Sequence, residues 1–174
     1  MDSPKSPCFS MRGDALVYRT LEKLGIHFDY YEHPPVPTIE EAMIYWKDID
    51  AAHCKNLFFR NHKGNKHYLV VFHYLHKMDV RSLEQKLKQG KLSFASGWRL
   101  KDYLNLEAGS ISPFGLLHDK TKHVKLFIDD KLKTFERLSF HPNDNTASLV
   151  ILKSDFEKYL NFVGNEREWI NLYD

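Results

Sequence analysis

The sequence has little cysteine and no long apolar run. It contains two cysteines, Cys8 and Cys54, and Cys8 lies in a lead segment rich in Ser and Pro, so nothing indicates a disulfide-dependent secreted scaffold. No segment approaches the roughly 20 apolar residues that a transmembrane helix needs, and the N-terminus lacks the apolar core of a signal peptide. We therefore expect a soluble, cytoplasmic protein with no membrane partner.

Net charge is nearly absent as well. The 174 residues include 25 Lys and Arg against 23 Asp and Glu, which leaves a net charge of +2. This excess is too small to indicate polyanion binding by itself, and no DNA-reading motif is recognisable. Specific DNA binding is therefore not expected, and any contact with nucleic acid must come from a local patch.

Familiar catalytic and metal-binding signatures are also missing. No Ser-His-Asp or metal-protease motif is recognisable. Ten histidines suggest a metal site, but His67 and His73 would lie about 20 Å apart on a strand extended at ~3.3 Å per residue, and no Cys-x-x-Cys pair accompanies them. We expect neither a metal nor another cofactor.

The apolar residues that are present suffice for one core. With 43% hydrophobic residues the chain can form a single domain. Residues 1–13 show no periodicity and predict a mobile lead segment, so the folded domain is expected to cover 14–174. Helices are predicted at 14–24, from Thr38 onward, at 79–88, at 96–104 and from Ser154 onward; strands are predicted at 27–32, 56–59, 67–74, 92–94, 124–128, 132–138 and 147–152.

Local signals place several of these boundaries. Asp14 is expected to be the N-cap of the first helix. Thr38 with Glu41, and Ser154 with Glu157, have the spacing of a capping box. Gly and Asn at 61–65 suit a hairpin, and the polar residues 129–131 suit a turn between two strands. The last element is expected to be helical. The pattern as a whole predicts a single α+β domain built on a mainly antiparallel or mixed sheet.

Four segments contain most of the residues that could take part in catalysis or binding. They are YEHPPVPT at 31–38, HCKNLF at 53–58, GSISPFG at 109–115 and FHPNDNT at 140–146. The Lys-Asn pair on a strand, the Gly-x-x-x-Pro loop and the later His-Pro turn, in this order and spacing, resemble the YbaK family of prolyl-tRNA synthetase-associated editing domains. The resemblance covers about the whole region predicted to fold.

This resemblance implies a mixed sheet flanked by helices and a deacylase that acts in trans on tRNA-Pro charged with the wrong small amino acid. Because GSISPFGL is more similar to the alanyl deacylases, alanyl-tRNA-Pro is the expected substrate. Cysteinyl-tRNA or another small aminoacyl-tRNA is an alternative, and so is a non-catalytic tRNA-binding or synthetase-associated module. The implied partner is mischarged tRNA-Pro, and recruitment by prolyl-tRNA synthetase stays open.

Lys55, Gly109 and His141 are the candidate catalytic residues. Lys55 offers a cation to the terminal phosphate or the ester, although an ordinary strand-edge lysine has the same appearance. The loop that begins at Gly109 can direct backbone N–H groups at the carbonyl oxygen and limit the size of the side chain. His141 can orient substrate, or it can be a structural turn residue. In the family the terminal ribose is thought to assist the attacking water.

Two further sets complete the expected site. The candidate substrate-binding residues are Asn56, Ser110, Ile111, Ser112, Pro113, Phe114, Asn145 and Thr146. The candidate tRNA-binding residues are Lys63, Lys66 and Arg99, which can contact phosphates. Asn56 raises a geometric difficulty, because neighbours on a regular strand point to opposite faces of the sheet and only a bulge or a strand end would let it share a pocket with Lys55.

Overall fold

The computed structural model describes residues 11–36 and 38–173, with the backbone alone for Ile39. Most of the predicted lead segment, Cys8 included, and Pro37 of the first motif lie outside these residues. Within the described part of that segment, Met11 packs against the core and the Arg12 amide donates to the Tyr30 hydroxyl at 2.8 Å.

Eight strands form one mixed sheet. Its strands are β1 (Asp29–Glu32), β2 (Ala52–Asn61), β3 (His67–His73), β4 (Leu92–Phe94), β5 (Lys125–Asp129), β6 (Arg137–Phe140), β7 (Ala147–Leu152) and β8 (Arg167–Ile170). Their order is β1-β7-β6-β2-β3-β5-β8, and β4 pairs with β2 off this path. The β1–β7, β6–β7, β2–β3 and β2–β4 pairs are antiparallel, whereas β2–β6, β3–β5 and β5–β8 are parallel. The predicted mixed, largely antiparallel sheet is confirmed.

Helices flank this sheet. They are α1 (Ala15–Lys23), α2 (Ile39–Trp46), α3 (Val80–Leu87), α4 (Gly97–Leu104) and α5 (Lys153–Val163), together with 3-10 helices at Pro113–His118 and Asp130–Thr134. Side-chain caps were readable from sequence: Asp14 accepts from the Leu16 amide at 2.9 Å, and Thr38 accepts from the Glu41 amide at 3.2 Å. Among the described residues no helix has the length and apolar character to cross a membrane.

The core lies on both faces of the sheet. β3 is buried along its whole length because it runs between β2 and β5, and a strand covered on both faces has a continuous apolar sequence. Leu69 and Val71 belong to the cluster that contains α1, α4 and α5. Val70 and Phe72 belong to the cluster that contains α3. Alternate residues of β3 therefore belong to two different hydrophobic clusters, one on each face of the sheet.

The predicted strand at 132–138 is wrong in its first half. The Asp129 carboxylate accepts from the Lys131 amide at 3.4 Å and caps the 3-10 helix Asp130–Thr134, in which Leu132 is fully buried. Only Arg137–Phe140 is a strand, and it pairs with β2 and β7 rather than with β5. The polar residues 129–131, which suggest a tight hairpin, instead begin the connection from β5 to β6, two strands that are not neighbours in the sheet.

Two predictions near the C-terminus are corrected. The last helix begins at Lys153, whose amide donates to the Glu136 carbonyl at 2.9 Å, so Ser154 lies inside the first turn and is not the N-cap. The chain then returns as a strand, β8, which pairs in parallel with β5. Its short, charged sequence, REWI, is typical of an edge strand and carries little strand signal of its own.

Candidate active site

An opening in the sheet lies along one edge of β2. On one side β2 pairs with β3 over residues 54–60. On its other side it pairs with β6 only at Ala52 and His53, and with β4 only from Phe59 to Asn61. Residues 54–57 therefore have no strand beside them on that side among the described residues, and their edge is available to other groups.

A cavity of about 730 Å³ occupies this opening. Four consecutive residues of β2, 54–57, line it. On a regular strand, neighbouring side chains point to opposite faces of the sheet. Because the cavity lies at the open edge of β2, it is reached by both Lys55 and Asn56. The geometric difficulty raised by the sequence is thereby removed without a bulge.

The three predicted catalytic residues meet at this cavity. Lys55 comes from β2, Gly109 from the loop after α4, and His141 from the turn after β6, and all three line its wall. Of the predicted substrate-binding residues, Asn56, Ile111 and Asn145 also line it. Segments separated by more than 80 positions in the chain are thus brought together at one edge of β2.

Three predicted substrate-binding residues take a different position. Ser112, Pro113 and Phe114 are buried below the loop rather than in the cavity wall. The Ser112 hydroxyl accepts from the Phe114 amide at 3.2 Å, and the Pro113 carbonyl accepts from the Tyr159 hydroxyl at 2.8 Å. Phe114 packs edge-on against the Tyr159 ring, with 5.1 Å between centroids. These residues anchor the loop to α5 and so support the site from behind.

Ser110 and Thr146 are likewise outside the cavity wall. The Ser110 amide donates to the Glu107 carbonyl at 3.1 Å, which makes the turn before Ile111. The Thr146 amide and hydroxyl both donate to the Asp144 carboxylate, at 2.8 and 2.5 Å. Both residues shape the loops that carry Gly109 and Asn145.

The Gly109 loop leaves two amides for a ligand. The Ser110 amide is engaged by Glu107, but the Gly109 and Ile111 amides donate to no backbone carbonyl among the described residues. Gly109 has φ +90°, a left-handed conformation that side-chain-bearing residues rarely adopt. A Cβ added there would lie 3.6 Å from the Asn145 side chain, so the two loops are neighbours in the cavity wall.

Asn56 holds this loop against β2. Its Nδ2 donates to the Ile111 carbonyl at 3.2 Å, whereas its Oδ1 is buried without a partner among the described residues. The side chain predicted to contact substrate therefore has a positioning contact as well. Because the clamp spans 55 positions of sequence, it is the direct link between the Lys-Asn pair and the Gly-x-x-x-Pro loop.

Removal of this clamp should reduce activity without unfolding the protein. Asn56→Ala leaves the Ile111 carbonyl unpaired and frees the loop. We expect kcat/KM for the deacylation that the sequence resemblance implies to fall about tenfold, the equivalent of roughly one hydrogen bond. Asn56→Asp keeps the size but sets a carboxylate oxygen against that carbonyl, so it should lose at least as much. Wild-type kinetics in both variants would contradict the clamp.

His141 is held as a neutral acceptor. Its Nδ1 lies 2.8 Å from the Ala147 carbonyl, and because a carbonyl only accepts, Nδ1 carries the proton. Burial lowers the pKa of His141, and the His33 ring, 5.8 Å away between centroids, contributes in the same direction. The imidazole is therefore neutral at pH 7, and Nε2 is the nitrogen left to accept a hydrogen bond from a ligand.

The cavity carries one positive charge and no carboxylate. Among the described residues that line it, Lys55 alone has a formal charge, and its side chain is exposed and makes no ion pair within the described residues. Such a wall favours an anion or a developing oxyanion. In the described parts of the chain no group of three or more His, Cys, Asp or Glu is placed to hold a metal ion.

Asp14 joins the loops that carry Gly109 and His141, and sequence analysis identified it only as a helix cap. Its carboxylate accepts from the Leu16 amide, from Asn143 Nδ2 at 3.0 Å and contacts His118 Nε2 at 2.5 Å. Its own amide donates to the Pro142 carbonyl at 2.9 Å. Asn143 follows the His141 turn, and His118 ends the 3-10 helix after the Gly109 loop, so one carboxylate fixes both loops to α1.

This carboxylate predicts a loss of stability in acid. Burial by itself would raise the pKa of Asp14, but hydrogen bonds from His118, Asn143 and Leu16 outweigh it and lower the pKa. A lowered folded-state pKa stabilises the fold fully above the unfolded value of about 3.9, and this is lost as pH falls through the folded-state value. Asp14→Ala should cost about 2 kcal/mol at pH 7 in urea unfolding, and less at pH 3. A cost that does not change with pH would contradict this role.

Two aromatic residues of the wall were not identified from sequence. They are Trp46, at the end of α2, and Tyr74, directly after β3. Ala42, four positions before Trp46 on α2, and Val36 line the cavity beside them. The signal was present: Thr38, Ala42 and Trp46 recur at i, i+4 spacing from a recognised cap, so they share one helix face. Sequence alone does not show that this face covers the open edge of β2.

The predicted tRNA contacts lie at the other end of β2. Lys63 and Lys66 are exposed in the turn between β2 and β3. The Arg99 guanidinium has an internal role, since Nη1 donates to the Gly64 carbonyl at 2.7 Å and to His67 Nε2 at 2.8 Å, and it stacks over Trp98. Burial first, and then neighbouring His123 and Arg99, lower the pKa of His67 to about 4, which keeps it neutral as an acceptor.

Comparison with known proteins gives one consistent family. A model described as the aminoacyl-tRNA editing domain matches residues 33–159. The chain is 42% identical over 157 residues to the prolyl-tRNA editing protein ProX of Acetoanaerobium sticklandii, which covers 90% of this chain and 95% of that protein. It is 30% identical over 160 residues to prolyl-tRNA synthetase associated domain-containing protein 1 of Xenopus laevis, covering 90% and 94% of the two chains.

A solved structure supports the same fold. The structure of a candidate trans-editing enzyme for prolyl-tRNA synthetase superposes with a TM-score of 0.65 at 18% identity and covers 96% of this chain and 98% of its own. The four motifs extend from 31 to 146, so they and the family match coincide over most of their length.

Proposed function

The chain belongs to the aminoacyl-tRNA editing domain family, and we propose that it hydrolyses the ester of alanyl-tRNA-Pro in trans. The observation that carries this proposal is the meeting of Lys55, Gly109 and His141 at one cavity with no carboxylate in its described wall. An aminoacyl ester is already activated, so its hydrolysis needs placement of water and charge stabilisation more than a strong base.

The proposed step is attack of water on the ester carbonyl. The water oxygen bonds to the carbonyl carbon, the bond to the ribose oxygen breaks, and the water proton passes to that ribose oxygen, which releases alanine and tRNA. The adjacent ribose hydroxyl of the substrate relays the proton, a role for which the described cavity wall offers no carboxylate. His141 Nε2 accepts a hydrogen bond from the water or from this hydroxyl and so orients it.

The charge that develops on the carbonyl oxygen faces the Gly109 loop. The Gly109 and Ile111 amides are the N–H groups that remain available there, and Lys55 adds a positive charge beside them or on the terminal phosphate. Donors fixed before the reaction act strongly in a partly enclosed site. The clamp from Asn56 to Ile111 keeps these amides in place.

Selection for a small amino acid follows from exclusion. Gly109 and Asn145 lie side by side in the cavity wall, where a Cβ on Gly109 would be 3.6 Å from the Asn145 side chain, and we place the amino-acid side chain against this close pair, which would accept the methyl group of alanine and reject a proline ring. Rejection by steric overlap can exceed the roughly 1–3 kcal/mol that one methylene contributes through attraction. Correctly charged prolyl-tRNA-Pro is thereby spared.

The acceptor stem is proposed to lie along β2 toward the hairpin. Lys63 and Lys66 are exposed in the turn that follows β2. The strand ends at Asn61, about 20 Å from Lys55 at ~3.3 Å per residue, so these lysines are at a distance suited to phosphates of the acceptor stem. Arg99 positions this turn. Because the substrate is a tRNA of translation, we place the activity in the cytoplasm, with prolyl-tRNA synthetase as a candidate recruiting partner.

A substrate panel tests the proposal. Purified protein is added to alanyl-, cysteinyl- and prolyl-tRNA-Pro, and the loss of each ester is followed against a protein-free control. Alanyl-tRNA-Pro should be hydrolysed fastest and prolyl-tRNA-Pro should be left intact. Faster loss of the cysteinyl ester would reassign the substrate, and tRNA binding without any ester loss would indicate a non-catalytic module.

A further inference from the structure

Trp46 is held as a flat platform at the cavity. Its indole stacks on the imidazole of His53, with 4.4 Å between centroids and 4° between planes. Trp46 lines the cavity, whereas His53 is buried behind it and does not. The indole therefore separates the imidazole from the cavity, and the parallel stack fixes its plane.

Tyr74 completes the fixation of this platform. Its ring meets Trp46 edge-on at 5.4 Å and 76°, and meets His53 at 6.0 Å with the same inclination. The Tyr74 amide donates to the His53 carbonyl at 3.0 Å, which ties the end of β3 to β2 at this point. Burial lowers the pKa of His53 to about 4, so the stack is uncharged at neutral pH.

The platform lies next to the proposed reaction centre. His53 and Lys55 are two positions apart on β2, so their side chains share a direction and lie about 7 Å apart at ~3.3 Å per residue. The cavity of 730 Å³ falls in the range of about 300–1,000 Å³ that encloses drug-sized ligands. An alanyl group and one water fill only a part of such a space, and the polar residues that handle the ester do not account for its aromatic wall.

We propose that Trp46, backed by His53 and flanked by Tyr74, stacks the adenine of the 3′-terminal nucleoside whose ribose bears the ester. This inference rests on the proposed function and adds a subsite to it. Every base has a π-face, and a base stacks on an exposed aromatic ring with an energy that a ring-to-alanine substitution readily detects. Stacking of the base positions the ribose, and with it the ester, near Lys55.

The test uses two forms of alanyl-tRNA-Pro, one with the normal 3′-terminal adenosine and one that ends in a ribose without a base. For the wild-type protein we expect kcat/KM to be about tenfold lower on the abasic form. On the normal form, kcat/KM of Trp46→Ala should be about tenfold lower than that of the wild-type protein. On the abasic form, the two proteins should have nearly the same kcat/KM. Trp46→Phe keeps a smaller flat ring, so its kcat/KM on the normal form should lie between those of the wild-type protein and Trp46→Ala. Such partial activity would show that the loss in Trp46→Ala does not come from misfolding.

Ile44→Ala is the matched control, because Ile44 lies on the same helix, is 66% exposed and does not line the cavity. It should keep the wild-type ratio between the two substrates. Equal rates of the wild-type protein on both substrates would overturn the proposal, and so would a Trp46→Ala variant that loses activity but keeps the tenfold ratio.

Failure of the proposed function is distinguishable from failure of this subsite. If the wild-type protein hydrolyses neither substrate, the dissociation constants of the two uncharged tRNAs are measured instead. A preference of about tenfold for the adenosine end in the wild-type protein, absent in Trp46→Ala, would support the platform without the hydrolysis. No preference in binding would overturn it.

Discussion

Lys55→Ala should lower kcat/KM for alanyl-tRNA-Pro hydrolysis by roughly 100- to 1,000-fold, the range seen when one preorganised donor to a developing oxyanion is removed. Lys55 is exposed at the open edge of β2 and makes no ion pair within the described residues. Its pairing with Phe72 of β3 is a backbone pairing that alanine retains. The melting temperature should therefore stay close to that of the wild-type protein.

Two further lysine variants make this result specific. Lys55→Arg keeps the charge but spreads it over a larger planar group, so it should recover part of the lost activity. Lys120→Ala removes an exposed lysine that does not line the cavity and should leave the rate unchanged. Wild-type kinetics in Lys55→Ala would remove this residue from the site.

Gly109→Ala is expected to lower kcat/KM by roughly 10- to 100-fold. Gly109 has φ +90°, and a non-glycine residue in such a conformation costs about 1–3 kcal/mol. A methyl group would meet only the Asn145 amide, at 3.6 Å, so the damage comes from the backbone and not from a clash. We expect the loop of this variant to relieve the strain by turning the amides of Gly109 and Ile111 away from the carbonyl oxygen.

Gly90→Ala is the matched control for that experiment. Gly90 has φ +79° and open space where its Cβ would be, and it lies outside the cavity wall. Both variants should lower the free energy of unfolding by similar amounts, because both impose the same kind of backbone strain. Only Gly109→Ala should also lose hydrolysis, and an equal loss of activity in both would show that strain alone is responsible.

Sequence identified the parts of the fold that local chemistry determines. The caps at Asp14 and Thr38 depend on side chains two or three positions from the amides they accept, and the structure confirms both. The strand at 67–74 was predicted from its run of apolar and aromatic residues, a pattern that fits the burial of β3 along its whole length. These signals need no knowledge of the remaining chain.

The errors concern segments whose structure is determined by distant partners. The residues at 132–134 have a strand-like pattern, but Asp129 and the burial of Leu132 make them a 3-10 helix. β8 was missed because its strand state comes from pairing with β5 and not from its own residues. Tertiary context outweighs local preference in both places.

Only a part of the site was predicted, because the rest depends on contacts between segments that are distant in the sequence. Lys55, Gly109 and His141 were identified through their motifs, and the structure places them around one cavity. The structure was needed to show that β2 has an open edge, that Ser112 to Phe114 lie behind the loop, and that Trp46 and Tyr74 form the opposite wall. Asp14 joins loops more than 100 positions away, a link that no sequence pattern contains.

The most direct measurement is the first-order rate of ester loss from alanyl-tRNA-Pro with and without the wild-type protein, beside prolyl-tRNA-Pro under the same conditions. We expect rapid loss of the alanyl ester in the presence of the protein and a prolyl ester that decays only at its spontaneous rate. An alanyl ester that decays at the same rate with and without the protein would contradict the assignment of this cavity to tRNA proofreading.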